Sequence, residues 1–246
     1  MNEIIKHLLQ RKSVRVFEDR EIDEPIVQEI LTAAVNAPTA GNQQLYTILR
    51  ISDPQIKRRL AESCDHQPFI ADGKLVLVFC ADCLKWYTAF RSAGCEPRDP
   101  GAGDLLLAID DALIAAQNAV IAAESYGIGS CYIGDIMENI EVQREILNLP
   151  EYVFPAALLV FGYPTEQQKN RVKPERADLK YIVQENAYHR HSPEELRAMF
   201  RKKCGAEPYE SWMQAFCRRK YNSDFTREMT RSVTEALKDF NERPER

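Results

Sequence analysis

Three cations and a hydroxyl lie within five residues near the amino terminus of the chain. They are Arg11, Lys12, Ser13 and Arg15. Guanidinium and ammonium groups donate charge-assisted hydrogen bonds to oxyanions, and a serine hydroxyl adds a neutral donor. This combination suits a phosphate together with a second anionic or polar target. The residues alone leave open a second interpretation, in which the charges only complement the dipole at a helix end.

A loop rich in hydroxyl and amide side chains follows at residues 38–44. It offers Thr39, Asn42 and Gln44 as hydrogen-bonding groups suited to the edge of a heteroaromatic ring. An ordinary turn would need only the proline, glycine and asparagine of this segment. The adjacent amides of Gln43 and Gln44 are the unusual feature, and they favour a binding loop.

Two glycines with the spacing of a phosphate-binding P-loop occur at Gly129 and Gly134. That motif requires lysine where Asp135 stands, and the dinucleotide-binding pattern fails because these glycines follow a helix. What remains is a strand end at which the backbone of Tyr132, Ile133 and Gly134 can approach a flat ligand closely. A plain turn is the alternative interpretation.

A fourth polar group, Lys173-Pro174-Glu175-Arg176, lies in a hydrophilic stretch after the last apolar segment. By itself this sequence is typical of solvated surface. Its two cations matter only if the fold brings them to an anion.

Two short motifs could in principle hold a metal. Cys80 and Cys83 form a C-x-x-C, but no second cysteine pair completes a Cys₄ zinc site, and the motif begins at the end of a predicted strand. His189 and His191, with Glu194 nearby, form an H-x-H motif without an obvious third ligand. No metal is therefore expected.

Hydrophobic spacing predicts the elements that must position these groups. Continuous β-branched and aromatic segments at 74–80 and 155–163 predict strands buried on both faces, and shorter strands are predicted at 46–51 and 129–133. Helices are predicted over residues 3–12, from Asp23 onward, over 52–64, 104–126 and 139–148, and from residue 193 onward. This irregular alternation indicates one α+β or α/β domain with a long C-terminal extension.

The longest predicted helix has two features of its own. Asp104 is expected to be its N-cap, because aspartate accepts hydrogen bonds from the free N–H groups of a first turn. Within the helix, Asp110 and Asp111 are expected to be one surface and one buried polar position rather than a catalytic dyad.

Composition restricts the class of protein. The chain has 246 residues, of which 45% are hydrophobic, and a net charge of -5, which gives a sizeable core and no bulk attraction to nucleic acid or anionic membranes. The apolar segment 105–123 is interrupted by polar residues, whereas a membrane span needs about 18 apolar residues in succession. Seven scattered cysteines and no signal peptide predict a cytoplasmic protein with reduced thiols.

Taken together, these segments resemble the nitroreductase superfamily. The likeness rests on R-[RK]-S-x-R near residue 11, P-[ST]-x-x-N-x-Q in the loop, AQNAVIAAESYGIG and CYIGD. It continues through LNLPEYVFPAALLVFGYP, VKPER and ENAY, so that it covers roughly residues 3–190 with all segments in order. The likeness is greatest to the NADPH-preferring nitroreductases and flavin reductases, in which Gln67 also has a counterpart.

The resemblance implies a nitroreductase-like α+β fold, with a central mixed β-sheet flanked by helices, in an intertwined homodimer. Residues 1–190 would form the FMN-binding domain, and residues 191–246 a helical extension packed on the dimer. Each subunit would help to build two FMN sites at the interface.

The resemblance also assigns positions to the cofactor. The implied FMN-binding residues are Arg11, Lys12, Ser13, Arg15, Thr39, Asn42, Gln44, Gln67, Tyr132, Ile133, Gly134, Asp135, Lys173 and Arg176. Arg11 and Ser13 would match phosphate and ribityl contacts, and Arg15 the ring edge near N1 and O2. Lys173 and Arg176 would clamp the phosphate.

Further implied contacts concern the ring itself. The backbone N–H of Gly134 would reach N5, Gln67 would bond the polar edge, and the loop 38–44 would reach across from the other subunit or line the ring. Two positions depart from the family pattern. Asp135 stands where related chains have a second glycine, and Glu175 is inserted into a K-P-R motif.

The activity implied by the resemblance is hydride transfer from NAD(P)H to FMN, followed by two-electron reduction of nitroaromatics, quinones or free flavin in a ping-pong mechanism. A cofactor that carries the chemistry agrees with a sequence in which no nucleophile or acid–base triad is visible. Two alternatives stay open. One is a same-fold reductase with a specialised acceptor, such as an enone reductase or reductive dehalogenase. The other is a flavin-binding redox sensor that uses Cys80 and Cys83 without significant turnover.

Overall fold

The computed structural model describes residues 1–241, which divide into two compact units. The first unit contains residues 1–171 and 228–241, and the second contains residues 172–227. The predicted domain boundary at residue 190 falls inside the second unit. That residues 191–246 pack on a dimer stays a prediction.

The first unit contains the sheet and most of the helices. Its strands are β1 (Tyr46–Arg50), β2 (Leu75–Asp82), β3 (Gly129–Ile133) and β4 (Val153–Gly162). Its helices are α1 (Glu3–Gln10), α2 (Glu24–Val35), α3 (Pro54–Ser63), α4 (Phe69–Asp72), α5 (Leu84–Ser92), α6 (Ala102–Ser125), α7 (Ile140–Leu147) and α8 (Glu166–Asn170). The second unit contains α9 (Leu179–Ile182), α10 (Pro193–Cys204) and α11 (Tyr209–Phe216), and α12 (Asp224–Leu237) begins in it and ends in the first.

The sheet has the order β1-β2-β4-β3, and every neighbouring pair is antiparallel. The central strands β2 and β4 are buried along their whole length, which confirms the prediction from their continuous apolar sequences. A parallel bridge joins Ser13 to Ser130 of the edge strand β3. Among the described residues, the mixed character expected of the sheet is thus limited to this bridge.

The long helix α6 packs on the sheet and on α2 through a face of small residues. Its buried positions include Ala108, Ala112, Ala115, Ala119 and Ala123. Alanine at this spacing lets the helix axis approach the strands closely, because no long side chain intervenes. By length and composition α6 would also suit a membrane span, but it is the central helix of the first unit and its alanine face lies in the core.

The start of α6 corrects one prediction. The helix begins at Ala102 rather than at Asp104, and Gly101 occupies the N-cap position. Asp104 lies in the first turn, where its Oδ2 accepts the Gly101 N–H at 2.8 Å while both carboxylate oxygens bind Arg98. The carboxylate therefore caps the helix from inside the first turn, as the acidic member of a capping box does.

Candidate functional site

The segment that carries the first cationic cluster is attached to the edge strand β3. Ser13 bridges Ser130, and the N–H of Val14 donates to the carbonyl oxygen of Ser130 at 2.9 Å. A Cβ at Gly129 would lie 2.5 Å from a methyl group of Val14, closer than real Cβ contacts allow. Glycine at position 129 is therefore what allows the segment to lie against the strand.

Arg11 lies over this edge, and not all of its guanidinium donors have a hydrogen-bond partner among the described residues. Its Nη2 donates to Oγ of Ser130 at 3.4 Å, and its guanidinium carbon is 5.7 Å from the centre of the Tyr132 ring. Its Nε atom is buried and has no hydrogen-bond partner among the described residues. A buried guanidinium donor without a partner is costly unless a ligand satisfies it, so this position indicates an anion site.

The other cations of the cluster point to different groups. Lys12 donates through Nζ to the carbonyl oxygens of Lys169 (2.7 Å) and Arg171, at the end of α8. Arg15 is exposed, and its backbone N–H donates to Oε1 of Gln168 at 3.3 Å. Arg15 also borders a cleft of about 700 Å³ that Lys57, Phe69 and Lys74 help to line.

A further cation, which no sequence pattern indicated, also lies at this edge. The Nη2 atom of Arg171 donates to the carbonyl oxygen of Ser13, which brings a further guanidinium to the segment 11–15. Its position 158 residues away in the chain gives no local signal, because the contact depends on how α8 returns to the sheet edge.

At the end of β3, one aromatic side chain is held in place and the glycine that follows it is exposed. Tyr132 is held by its hydroxyl, 3.3 Å from Oε1 of Gln117, and burial raises the pKa of Tyr132 to about 12, so the phenol stays neutral. Ile133 is buried, whereas Gly134 is exposed with no atom within 4 Å of the place a Cβ would take. The backbone at Gly134 is thus accessible to a ligand.

Gln67 and Asp135 meet beside this strand end. The amide nitrogen Nε2 of Gln67 donates to Oδ2 of Asp135 at 3.1 Å and to the carbonyl oxygen of Cys64 at 2.8 Å. Two positions implied separately by the family resemblance are therefore neighbours in the fold. The carboxylate of Asp135, at a position that departs from the family pattern, therefore has a hydrogen-bond partner in Gln67.

A second carboxylate, which no sequence pattern indicated, lies next to this pair. Glu138 is only 6% exposed, and its Oε1 atom has no hydrogen-bond partner among the described residues. Burial is the main cause that raises the pKa of Glu138 to about 7, and the negative charges of Asp135, Asp65 and Glu228 add to it. The end of β3 therefore carries a carboxyl group that titrates near neutral pH.

The amide-rich loop folds around a buried aspartate of α6. Asp111 accepts hydrogen bonds from Oγ1 of Thr39, from the N–H of Ala40 at 2.9 Å and from the N–H of Leu45 at 3.1 Å. Asp111 is 3% exposed and Asp110 is exposed, which confirms the prediction of one buried and one surface position. Asp111 thus holds the shape of the loop.

Within one chain, two of the predicted ligands of this loop form hydrogen bonds that hold the loop itself. The hydroxyl of Thr39 accepts the N–H of Gln44 at 2.7 Å, and the amide of Gln44 donates to the carbonyl oxygen of Val35 at 2.9 Å. Both side chains therefore stabilise the loop itself. Asn42 is exposed in a left-handed conformation with φ of 57°.

The remaining predicted phosphate ligands lie in the second unit. Arg176 is exposed and donates through Nη1 to the carbonyl oxygen of Pro174 at 3.4 Å. Lys173 belongs to the same segment. Their roles toward a phosphate stay predictions.

The C-x-x-C motif is part of the core. Cys80 and Cys83 are both free thiols, 0% and 6% exposed. Burial raises the pKa of each thiol to about 12, so neither forms a reactive thiolate at neutral pH. Their geometry favours a structural role.

The sheet edge therefore combines several cationic side chains, a neutral phenol, an accessible backbone at a glycine and an amide–carboxylate pair. This set suits a flat, phosphorylated cofactor better than direct acid–base chemistry by the protein.

Comparisons with known proteins agree with this description. The family model described as the nitroreductase family matches residues 8–163. A Cr(VI) reductase of Pseudomonas sp. (strain G-1) is 30% identical over 238 residues, which cover 96% of this chain and 91% of the relative. An FMN reductase (NAD(P)H) of Bacillus subtilis (strain 168) is 28% identical over 238 residues, which cover 95% and 90%.

The fold is similar to that of solved structures over nearly the whole chain. Nitroreductase A from Vibrio parahaemolyticus RIMD 2210633 superimposes with a TM-score of 0.83 at 26% sequence identity, covering 96% of this chain and 98% of that one. The similarity therefore includes the C-terminal part as well as the sheet.

Proposed function

Because the chain belongs to the nitroreductase family and is an FMN-dependent NAD(P)H oxidoreductase, we propose that it reduces nitroaromatics, quinones or free flavin by a ping-pong mechanism. When bound, FMN supplies the two-electron chemistry that links NAD(P)H to the acceptor. The protein binds and orients the cofactor and tunes its charge environment. The two substrates would use the same face of the site in turn.

The observation that carries this proposal is the buried Nε donor of Arg11 beside Ser130, which has no hydrogen-bond partner within residues 1–241. It fits a phosphate oxygen, since a charge-assisted bond to an oxyanion would satisfy the donor. Ser13, bridged to Ser130, would bond the ribityl chain next to it. Lys12 fits less directly, because its ammonium group already binds two carbonyl oxygens.

The ring of FMN would lie along the end of β3. Gly134 would offer its backbone N–H to N5, with Tyr132 and Ile133 forming the surface beside it. The amide of Gln67 would bond the polar edge of the ring while it holds Asp135. Arg15 would provide positive charge near N1 and O2, where reduction places negative charge.

We further propose that the active form is a homodimer. In one chain, Thr39 and Gln44 are bound up in the loop around Asp111, whereas the cationic cluster gathers at β3. Asn42 would reach the cofactor of the second subunit. Lys173 and Arg176 would add contacts to the phosphate. A complete site then requires two copies of the chain.

The exposed side of α6 supports this assembly. Leu106 is 64% exposed, Leu113 39% and Ile114 41%, on a helix whose opposite face is in the core. Several large apolar side chains on one exposed helix face are typical of an interface rather than of free surface. A second copy of the chain would bury these side chains.

We also propose a cytoplasmic location, which agrees with the free cysteines.

Absorption spectroscopy of the purified protein under anaerobic conditions tests the proposed function. Flavin released by heat is expected to chromatograph as FMN, at about one molecule per chain, and NADPH or NADH is expected to bleach the bound flavin. Reoxidation should follow on addition of nitrofurazone, a quinone or free FMN. Chromate is a further acceptor to include, since the Pseudomonas relative is named for it.

The alternatives predict different spectra. A flavin that stays oxidised under both nicotinamides would overturn the proposal in favour of a redox sensor. Bleaching followed by reoxidation with one specialised acceptor only, such as an enone or a halogenated aromatic, would replace the proposed acceptors. FAD in place of FMN, or no flavin after reconstitution, would contradict the cofactor assignment.

A further inference from the structure

The second unit brings two histidines and one carboxylate together at the start of α10. The ligand atoms of His189, His191 and Glu195 all lie within 4.8 Å of one another. Oε2 of Glu195 is 3.3 Å from Nε2 of His189 and 4.0 Å from Nδ1 of His191. The carboxylate is that of Glu195, in the first turn of α10, rather than that of Glu194.

A hydrogen bond fixes the proton on the His191 ring. Nε2 of His191 is 3.0 Å from the carbonyl oxygen of Tyr181, and a carbonyl can only accept, so Nε2 carries the hydrogen. Nδ1 is then the unprotonated nitrogen of the neutral ring. It is buried and has no hydrogen-bond partner among the described residues. This arrangement is typical of metal-binding histidines, whose second nitrogen donates to a carbonyl.

The other two groups are also held in place. Gln184 binds the backbone of His189 on both sides, since its Oε1 accepts the His189 N–H at 2.6 Å and its Nε2 donates to the His189 carbonyl at 2.8 Å. Oε2 of Glu195 accepts the N–H of Ser192 at 2.8 Å in a capping box. That hydrogen bond holds the carboxylate beside His189.

We propose that His189, His191 and Glu195 form a binding site for a late first-row divalent cation such as Zn²⁺. Two imidazoles and one carboxylate suit this class of ion, whereas Mg²⁺ prefers oxygen ligands and its bound water. Ligand atoms around a tetrahedral zinc lie about 3.4 Å apart, so side-chain movements of about 1 Å would close the site. The side chain of His189 is 64% exposed, which gives the ion access and leaves the fourth position to water.

The cation would fasten three pieces of the second unit to one another. They are the turn of α9 that carries Tyr181, the loop that carries His189, and the first turn of α10. The site is independent of the proposed flavin chemistry, since none of these residues belongs to the implied FMN ligands.

The test is zinc titration of the untagged, full-length protein with its flavin bound, after removal of metals with a chelator. Calorimetry is expected to show one Zn²⁺ per chain and no binding of Mg²⁺. His191→Ala and His189→Ala should each weaken zinc binding at least about tenfold. Glu195→Gln should weaken it too, and this variant keeps an oxygen to accept the Ser192 N–H, so the helix cap survives.

The chain has four histidines, which provides a matched control. The double variant His7→Ala/His66→Ala removes the other two and is expected to bind zinc like the wild type. Circular dichroism verifies that each variant is folded. The proposal is overturned if the wild type binds no zinc at millimolar concentration, if folded Glu195→Gln and His191→Ala bind zinc unchanged, or if the control loses the site. None of these results would affect the anaerobic flavin test.

Discussion

The side-chain amide of Gln67 donates a 3.1 Å hydrogen bond to the carboxylate of Asp135, at the end of β3 where the ring of FMN is proposed to lie. In the proposed site, this carboxylate would lie beside the polar edge of the cofactor. Related chains are expected to have glycine here, so the charge is a property of this chain.

The first prediction follows from that charge. Replacement of Asp135 by Asn keeps an oxygen that can accept from Gln67 and removes the charge. Because negative charge beside the ring destabilises the reduced, anionic flavin, Asp135→Asn should raise the midpoint potential of bound FMN by tens of millivolts, where about 30 mV corresponds to about 1.4 kcal/mol. Spectroelectrochemical titration measures the shift, with Asp23→Asn, at the exposed start of α2, as the control. An unchanged potential would place Asp135 away from the ring.

The second prediction separates the two arginines of the first cluster. Arg11→Ala should weaken FMN binding at least about tenfold, since a hydrogen bond to a charged group contributes about 1.5–3 kcal/mol, and should leave the potential nearly unchanged. Arg15→Ala should do the reverse and lower the potential by tens of millivolts, because it removes positive charge near N1 and O2. Fluorescence titration with FMN and spectroelectrochemistry measure the two effects. Arg58→Ala, on the exposed face of α3, is the control.

If Arg15→Ala keeps the wild-type potential, the assignment of Arg15 to the N1 edge is wrong. If Arg11→Ala binds FMN as tightly as the wild type, the anion site lies elsewhere. Each result is informative without a measurement of turnover.

The third prediction concerns pH and stability. The pKa of Glu138 is raised from its ordinary 4.5 to about 7, so folding favours the protonated form. The stability that this carboxyl group contributes is fully present below about pH 4.5 and is lost as the pH rises through 7. Glu138→Gln should therefore stabilise the protein above neutral pH, by at most about 3.5 kcal/mol at about 1.4 kcal/mol for each pKa unit.

Urea unfolding at about pH 5 and about pH 8 checks this pattern. The difference between Glu138→Gln and the wild type should be small at the lower pH and larger at the higher one. Glu62→Gln, at an exposed position of α3, should show no such pH dependence. If the difference in unfolding free energy between Glu138→Gln and the wild type is the same at both pH values, Glu138 is ionised throughout.

The fourth prediction tests the dimer. Ile114→Asp places a charge on the exposed apolar face of α6, where burial against a second copy would be unfavourable. The wild type should scatter light as twice the 28.2 kDa chain mass, and the variant should approach that chain mass and lose FMN. Val142→Asp, at a 42% exposed position of α7, is the matched control. A folded Ile114→Asp variant that remains dimeric would exclude this face as the interface.

The fifth prediction concerns the cysteines. Double replacement of Cys80 and Cys83 by Ala should leave kcat within a few-fold, because both thiols are buried and FMN stores the electrons. Alkylation of the native protein should modify the exposed Cys95 and Cys217 first. A loss of several orders of magnitude in kcat, with FMN still bound, would instead support the redox-sensor alternative.

The local elements could be predicted because each depends on neighbouring residues. The continuous apolar segments that became β2 and β4, and the small apolar face of α6, are patterns that a strand or helix imposes within about ten residues. The order of the polar motifs along the chain is likewise read directly from the sequence. The predicted N-cap of α6 lies three residues after the observed one, since Asp104 can cap a helix from the N-cap or from within the first turn, and the sequence does not distinguish the two.

The sequence by itself determined the strands, the central helix, the family likeness and the clusters of polar residues. Only the tertiary structure decided which of these residues meet. It joined Gln67 to Asp135, wrapped the amide loop around Asp111, buried Glu138 among like charges, and placed Glu195 beside His191. The physical reason is that periodicity reports which face of an element is apolar, whereas hydrogen bonds, burial and pKa shifts depend on partners brought together by antiparallel pairing and helix packing across long stretches of chain.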